Sequence, residues 1–208
     1  MLSQKTTRLG SRTNLVVLPK LVSASNFVMR GFTLIELLVA LSIIVLLAAF
    51  AFPSYQFLLA KNESDIVQQQ LLQTLQFAQQ EARIKHTTIA VCKSQNNLDC
   101  GGDWRDGVMV FDDKNGDGSV TSRDQLLLSI QFKTNGKLYW RGFPVYRNYL
   151  QFSGEGFQET DNSTFWYCRL AKRFPDWTIQ LNKSGRARAV KPDSHGEIRD
   201  ANGKVLAC

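Results

Sequence analysis

From Leu37 to Ala60 the chain carries no charged side chain. As a helix these 24 residues would extend about 36 Å, enough to cross a bilayer core with some tilt. Pro53 removes a backbone donor within this run and predicts a kink. Beyond it the apolar pattern becomes periodic. Val67, Leu71, Leu75, Ala78 and Ala82 recur at helical spacing with Gln, Glu and Lys opposite, the pattern of an amphipathic helix whose stripe packs on a sheet. From Thr87 the period changes again. Short β-branched and aromatic runs follow, separated by Gly, Asn and Asp: Thr88 to Cys92, Val108 to Phe111, Gln125 to Phe132, Lys137 to Trp140, Tyr149 to Phe152, Thr164 to Leu170, Trp177 to Leu181 and Arg186 to Val190. Strands at this density predict antiparallel sheets, and Asn135-Gly136 marks a tight turn between two of them. The expected class is α+β, a long kinked N-terminal helix packed on small antiparallel β-sheets. About 150 residues follow the apolar run, enough for one domain with its own core.

Charge gives the apolar run a direction. Lys5, Arg8, Arg12, Lys20 and Arg30 precede it with no acid among them. The positive-inside rule then holds the N-terminus in the cytoplasm and sends the C-terminal domain across the membrane. Glu36 stands at the edge of the run, where an ionisable group is costly, about 2.5–3.5 kcal/mol at a helix centre and less near an end. Such a group calls for a partner. An ordinary secretory signal fits less well, because the small residue Gly31 precedes the apolar stretch instead of following it. Cys92, Cys100, Cys168 and Cys208 all follow the membrane segment, so two disulfides in an oxidising compartment are expected. Three pairings are possible; Cys92 with Cys100, a short local loop, and Cys168 with Cys208, stapling the C-terminus, is the one favoured.

Arg30-Gly31-Phe32-Thr33-Leu34-Ile35-Glu36 followed by the apolar run resembles the class III leader of type IV pilins and pseudopilins. That resemblance implies cleavage between Gly31 and Phe32 by a prepilin peptidase, N-methylation of Phe32, and pairing of Glu36 with the terminal amine of a neighbouring subunit. Residues 1–31 are then a leader, 32–60 a transmembrane and assembly half of the helix, and 61–208 a soluble globular domain that includes the amphipathic half 61–86. Met1 and Met29 are both admissible starts. Removal of the leader leaves 20 Lys and Arg against 18 acids, a net +2 instead of +7. The stretch from Cys100 through Asp103-Trp104-Arg105-Asp106-Gly107 to Gly118 resembles the central signature of the GspH/FimT family of minor pseudopilins. Members form tip complexes of type II secretion pseudopili or type IV pili, and FimT-like members of competent bacteria bind DNA for uptake. The resemblance implies a type IV pilin-like fold, other major and minor pilins as partners, and residence in the inner membrane before assembly into a surface pilus.

Two segments of the exported part suggest chemistry. Asp113, Asn115, Asp117, Gly118 and Asp124 fall at positions 1, 3, 5, 6 and 12 of a calcium-loop pattern. A short Asp ends the loop where a bidentate Glu is usual, and the same residues serve a β-turn. A solvated turn is the preferred reading, and no cofactor or metal is expected. The second segment is Asn182-Lys183-Ser184-Gly185-Arg186-Ala187-Arg188-Ala189-Val190-Lys191. In an extended chain Arg186 and Arg188 share one side, roughly 6.6–6.8 Å apart, suited to charge-assisted contacts with phosphates. Between Phe165 and Cys208 nine Lys or Arg face four acids, whereas Asn97 to Gln125 carries seven acids against three bases. One region attracts polyanions and another repels them. The Gly-Arg-Ala-Arg run resembles the Gly-Arg-x-Arg motif of DNA-binding FimT proteins, which implies contact with double-stranded DNA through Gly185, Arg186 and Arg188, with Lys183 and Lys191 as electrostatic neighbours. The alternative is a charged edge strand that discourages aggregation. Phosphate-loop, nucleophile-elbow and His-Glu-x-x-His motifs are all missing from the sequence, so an enzyme is not expected.

Overall fold

The computed structural model describes residues 31–142, 147–160, 162–170, 172–200 and 204–208; all of the leader except Gly31 lies outside the described residues. Helix α1 spans Leu34–Lys85. The chain divides into two compact units, one reaching to Leu46 and one from Leu47 to Cys208, and α1 contributes to both. In the first unit the helix residues are exposed along their whole length. Thr33 caps the helix: its Oγ1 accepts from the amide of Glu36 at 3.3 Å, leaving Glu36 in the first turn, where the helix dipole favours an acid. By length and composition α1 can cross a membrane.

In the second unit α1 continues through Pro53 without a break in its helical assignment. The stripe Val67, Leu71, Leu75, Ala78 and Ala82 is fully buried. It meets two four-stranded antiparallel sheets. The strands are β1 Ile89–Lys93, β2 Gly107–Asp112, β3 Gln125–Gln131, β4 Lys137–Arg141, β5 Tyr149–Phe152, β6 Ser163–Cys168, β7 Trp177–Leu181 and β8 Ala187–Val190. One sheet has the order β3-β2-β1-β5 and the other β4-β6-β7-β8. Ile89, Val91, Val110, Leu150 and Phe152 from the first sheet and Phe165, Tyr167, Trp177 and Ile179 from the second join the α1 stripe in one core. The opposite face of the first sheet is buried too, because Ala90, Cys92, Met109 and Phe111 form a second cluster with Val120 and Tyr149. Trp104 packs edge-on to Phe165, with ring centroids 5.1 Å apart, and against Trp140 at 5.4 Å.

Two expectations need correction. Asn135-Gly136 does not close a hairpin, since β3 and β4 lie in different sheets. Glu63 of α1 draws this connection to the helix: its Oε1 accepts from Thr134 Oγ1 at 2.6 Å, from the Asn135 amide at 2.7 Å and from Tyr167 at 3.3 Å. The sixth strand ends at Cys168 rather than Leu170, because the chain leaves the ladder to form ion pairs. Arg169 Nη2 and Lys172 Nζ both donate to Asp176 Oδ1, at 2.9 and 2.7 Å. Ser64 donates to the other oxygen of Asp176 at 3.4 Å, and the Trp177 indole donates to the Ser64 carbonyl at 3.0 Å. The disulfides join Cys92 to Cys100 and Cys168 to Cys208. The second closes a 40-residue separation, worth about 4 kcal/mol on the chain-entropy account.

Burial acts to raise the carboxyl of Asp176, but the hydrogen bonds from Arg169 and Lys172 outweigh it and hold the group below the ordinary carboxylate range. A depressed carboxyl stabilises the fold above its unfolded pKa, about 3.9, and that contribution is lost as pH falls through the lower folded value. Asp176→Asn should therefore lower stability at neutral pH and flatten the acid limb of a stability profile below about pH 4; denaturant titrations across pH measure both effects.

Candidate nucleic-acid interface

The β7–β8 turn is built by its own side chains. Asn182 Oδ1 accepts from the Arg186 amide at 3.0 Å and from Ser184 Oγ at 2.7 Å, and the Gly185 amide donates to the Asn182 carbonyl at 2.9 Å. Gly185 has φ of 76°, a conformation that costs glycine little and most residues more. It is also crowded: a Cβ there would lie 2.3 Å from Gln79 Nε2. That amide reaches from α1 and donates to the carbonyls of Ser184 and Gly156, both at 2.9 Å. The Gln158 amide donates to the Lys183 carbonyl at 3.0 Å. The turn is thus held from the helix on one side and from the 153–158 loop on the other.

Arg186 and Arg188 are exposed and line one groove of about 390 Å3 together with Asn162, Thr164, Gln180 and Asn182. Arg186 precedes β8, and its carbonyl accepts from the Asn182 amide at 3.4 Å, which keeps it aligned with the strand. Arg188 donates through Nη2 to Gln180 Oε1 at 3.1 Å. Ala187 turns inward against the core, while Ala189 is exposed. Lys183 and Lys191 are exposed on either side of the arginines. Among the described residues no ion pair neutralises Arg186, Arg188 or Lys191. Gly185 differs from its expected role: it is buried, so what it supplies is the turn and not a contact surface.

Other basic and aromatic side chains of the second sheet are occupied elsewhere. Arg169 and Lys172 are engaged with Asp176, and Arg141 with Asp200 at 2.7 Å. Phe165 and Tyr167 are core residues. Trp166 is half-buried, stacked on Tyr139 at 5.3 Å and overlaid by the Arg141 guanidinium at 5.7 Å. Asn162, Thr164 and Gln180 were missed by sequence reasoning. Thr164 and Gln180 reach the groove through strand register, Thr164 opposite Gln180 and Gln180 opposite Arg188, a non-local pairing that no short motif encodes, and Asn162 immediately precedes β6.

The acidic turn is self-satisfied. Asp113, almost fully buried, accepts from the amides of Gly116 at 2.8 Å and Gly118 at 2.9 Å and from the Gln151 side chain at 2.6 Å. Asp124 accepts from the amides of Lys114 at 3.2 Å and Thr121 at 2.8 Å. Asn115 and Asp117 bond to each other at 2.7 Å. These carboxylates organise a loop, and among the described residues no group of three His, Cys, Asp or Glu side chains is placed to hold a metal ion. In the first unit Phe32 and Glu36 are exposed.

The family described as type II transport protein GspH matches residues 68–185, and the prokaryotic N-terminal methylation motif matches residues 28–52. Arg186 and Arg188 lie just beyond the first match. No curated protein matches the chain. Among solved structures, the type IV minor pilin FimU of Pseudomonas aeruginosa is 20% identical with a TM-score of 0.49, covering 62% of this chain and 90% of its own. The minor pseudopilin EpsH of the Vibrio cholerae type II secretion system is 17% identical with a TM-score of 0.41, covering 62% of this chain and 97% of its own.

Gln79→Ala would leave two carbonyls without their donor, at a cost of about 1–3 kcal/mol. Denaturant unfolding should register that loss, and hydrogen exchange should show faster opening of the 182–186 turn.

Proposed function

Because the chain belongs to the GspH family of type II transport proteins, we propose that it is a non-enzymatic minor type IV pilin that binds extracellular double-stranded DNA without sequence preference and supports DNA uptake in natural transformation. The observation that carries this reading is the pair Arg186 and Arg188, exposed on one groove and free of ion pairs among the described residues. Their spacing in extended backbone, roughly 6.6–6.8 Å, suits neighbouring phosphates of one strand. The surrounding groups are hydroxyls and amides that bond sugar and phosphate oxygens but carry little base information. Lys183 and Lys191 extend the positive field beyond the groove. No helix projects side chains for major-groove reading here, so affinity is phosphate-led and falls with salt.

Assembly is proposed to run through the other end of the chain. A prepilin peptidase and methylase act at Gly31 and Phe32 in the inner membrane, leaving the C-terminal domain in the periplasm. The exposed carboxylate of Glu36 then takes the terminal amine of a neighbouring pilin, neutralising a charge that lipid would penalise. A tip or priming subunit without DNA binding would share this assembly route, and the family match, which stops at Gly185, is equally compatible with it.

The purified protein should retard duplex DNA of unrelated sequences alike at low salt. Arg186→Gln with Arg188→Gln should weaken binding and reduce the slope of log affinity against log salt by roughly two, about 0.9 for each lost phosphate contact. Absence of binding by the wild type at low salt would assign the chain to the structural role, and unchanged binding in the double variant would remove Arg186 and Arg188 from the interface. A separate expectation concerns processing. Gly31→Leu should keep the leader in cells that hold a prepilin peptidase, whereas Glu36→Leu should be processed but excluded from fibres; intact-mass measurement and fibre fractionation read the two outcomes.

A further inference from the structure

Where the uncharged run of α1 ends, the second unit carries a cleft of about 370 Å3 between Phe57 and Ala60 on the helix and Arg169, Leu170 and Lys172 on the β6–β7 connection. Its rim is apolar and in water: Phe57 is 60% exposed and Leu170 is 68% exposed. Leu170 stands outside β6 and joins neither core cluster. The Arg169 guanidinium lies 5.1 Å from the centre of the Phe57 ring, which ties the connection to this point of the helix.

Charge around the cleft is layered. Asp176 is held beneath, its side chain 9% exposed, by Arg169 and Lys172. Glu63 is half-buried and occupied by three donors. The groups that face water are Lys61, Lys172 and Arg173, with Asp65 as the exposed acid nearby on α1. Apolar side chains at the rim and cations outside them are the arrangement that interfacial segments use on a bilayer.

The depth of this cleft is set by the helix. An uncharged run ending at Ala60 puts Phe57 to Lys61 at the level where hydrocarbon gives way to headgroups, the level that aromatic and basic anchors favour. Arg169 and Leu170 line the same cleft as Phe57 and Ala60, with Arg169 stacked on Phe57 itself, which brings the exposed Leu170 close to that level. We propose that the β6–β7 connection is a membrane foot: in the anchored subunit Leu170 enters the headgroup layer and Lys61 and Arg173 sit on the phosphates of anionic phospholipid.

The test uses the full chain reconstituted singly in nanodiscs of phosphatidylcholine alone or with phosphatidylglycerol, followed by hydrogen exchange. Amides of residues 168–170 and 172–174 should exchange about fivefold more slowly in the anionic discs, the effect of one surface cation's attraction to such lipid. Leu170→Glu with Arg173→Glu, both at exposed positions, should abolish that difference, while the 182–186 turn exchanges alike in every case. Equal exchange in the two lipids, or a difference that survives in the double variant, overturns the proposal. Protection that appears only when two chains share a disc overturns it as well, and assigns the face to a neighbouring subunit.

Discussion

One buried stripe on α1 organises the exported unit. Val67, Leu71, Leu75, Ala78 and Ala82 are the common surface on which both sheets close. Each sheet hides an apolar face against the helix, so three elements share one core. Polar contacts then fix the alignment: Glu63 gathers the β3–β4 connection, and Ser64 takes the indole of Trp177. Apolar burial supplies the drive without direction. The hydrogen bonds supply direction with little net drive, since each replaces one made to water.

The same division explains the electrostatics. Acids on the first sheet's side of the fold are spent internally, with Asp113 and Asp124 accepting backbone amides of the turns they organise. Asp176 is spent on Arg169 and Lys172. Among the described residues Arg186, Arg188 and Lys191 join no ion pair. Net charge is a poor guide to such a surface, since the arrangement of pairs decides where a polyanion finds an unopposed field.

Much of the fold was legible in the sequence because it is written in local periodicity. The helical stripe at steps of three and four, and the eight apolar runs, each correspond to an element. Pairing was not legible. That β5 lies beside β1 is a ladder between segments distant in the chain, and the passage of Asn135-Gly136 between sheets is fixed by contacts from Glu63, 72 residues before Asn135. At the candidate site Arg186 and Arg188 were visible as an alternating pair. Gly185 was assigned contact where it supplies backbone conformation, because a motif does not distinguish the residue that touches from the residue that bends. Asp176 lies four residues after Lys172 and seven after Arg169, and its pairing with both removes two cations from the basic surface.

Gln79 spans a gap that no backbone ladder crosses, donating to Ser184 and to Gly156 at once. In mechanical terms the turn is tethered on three sides: to β7 through its ladder, to α1 through that amide, and to the 153–158 loop through the Lys183 carbonyl. Force applied at Arg186 must therefore shear several hydrogen bonds together instead of peeling them one at a time. Tension at this turn would pull on α1 before it unravelled β8.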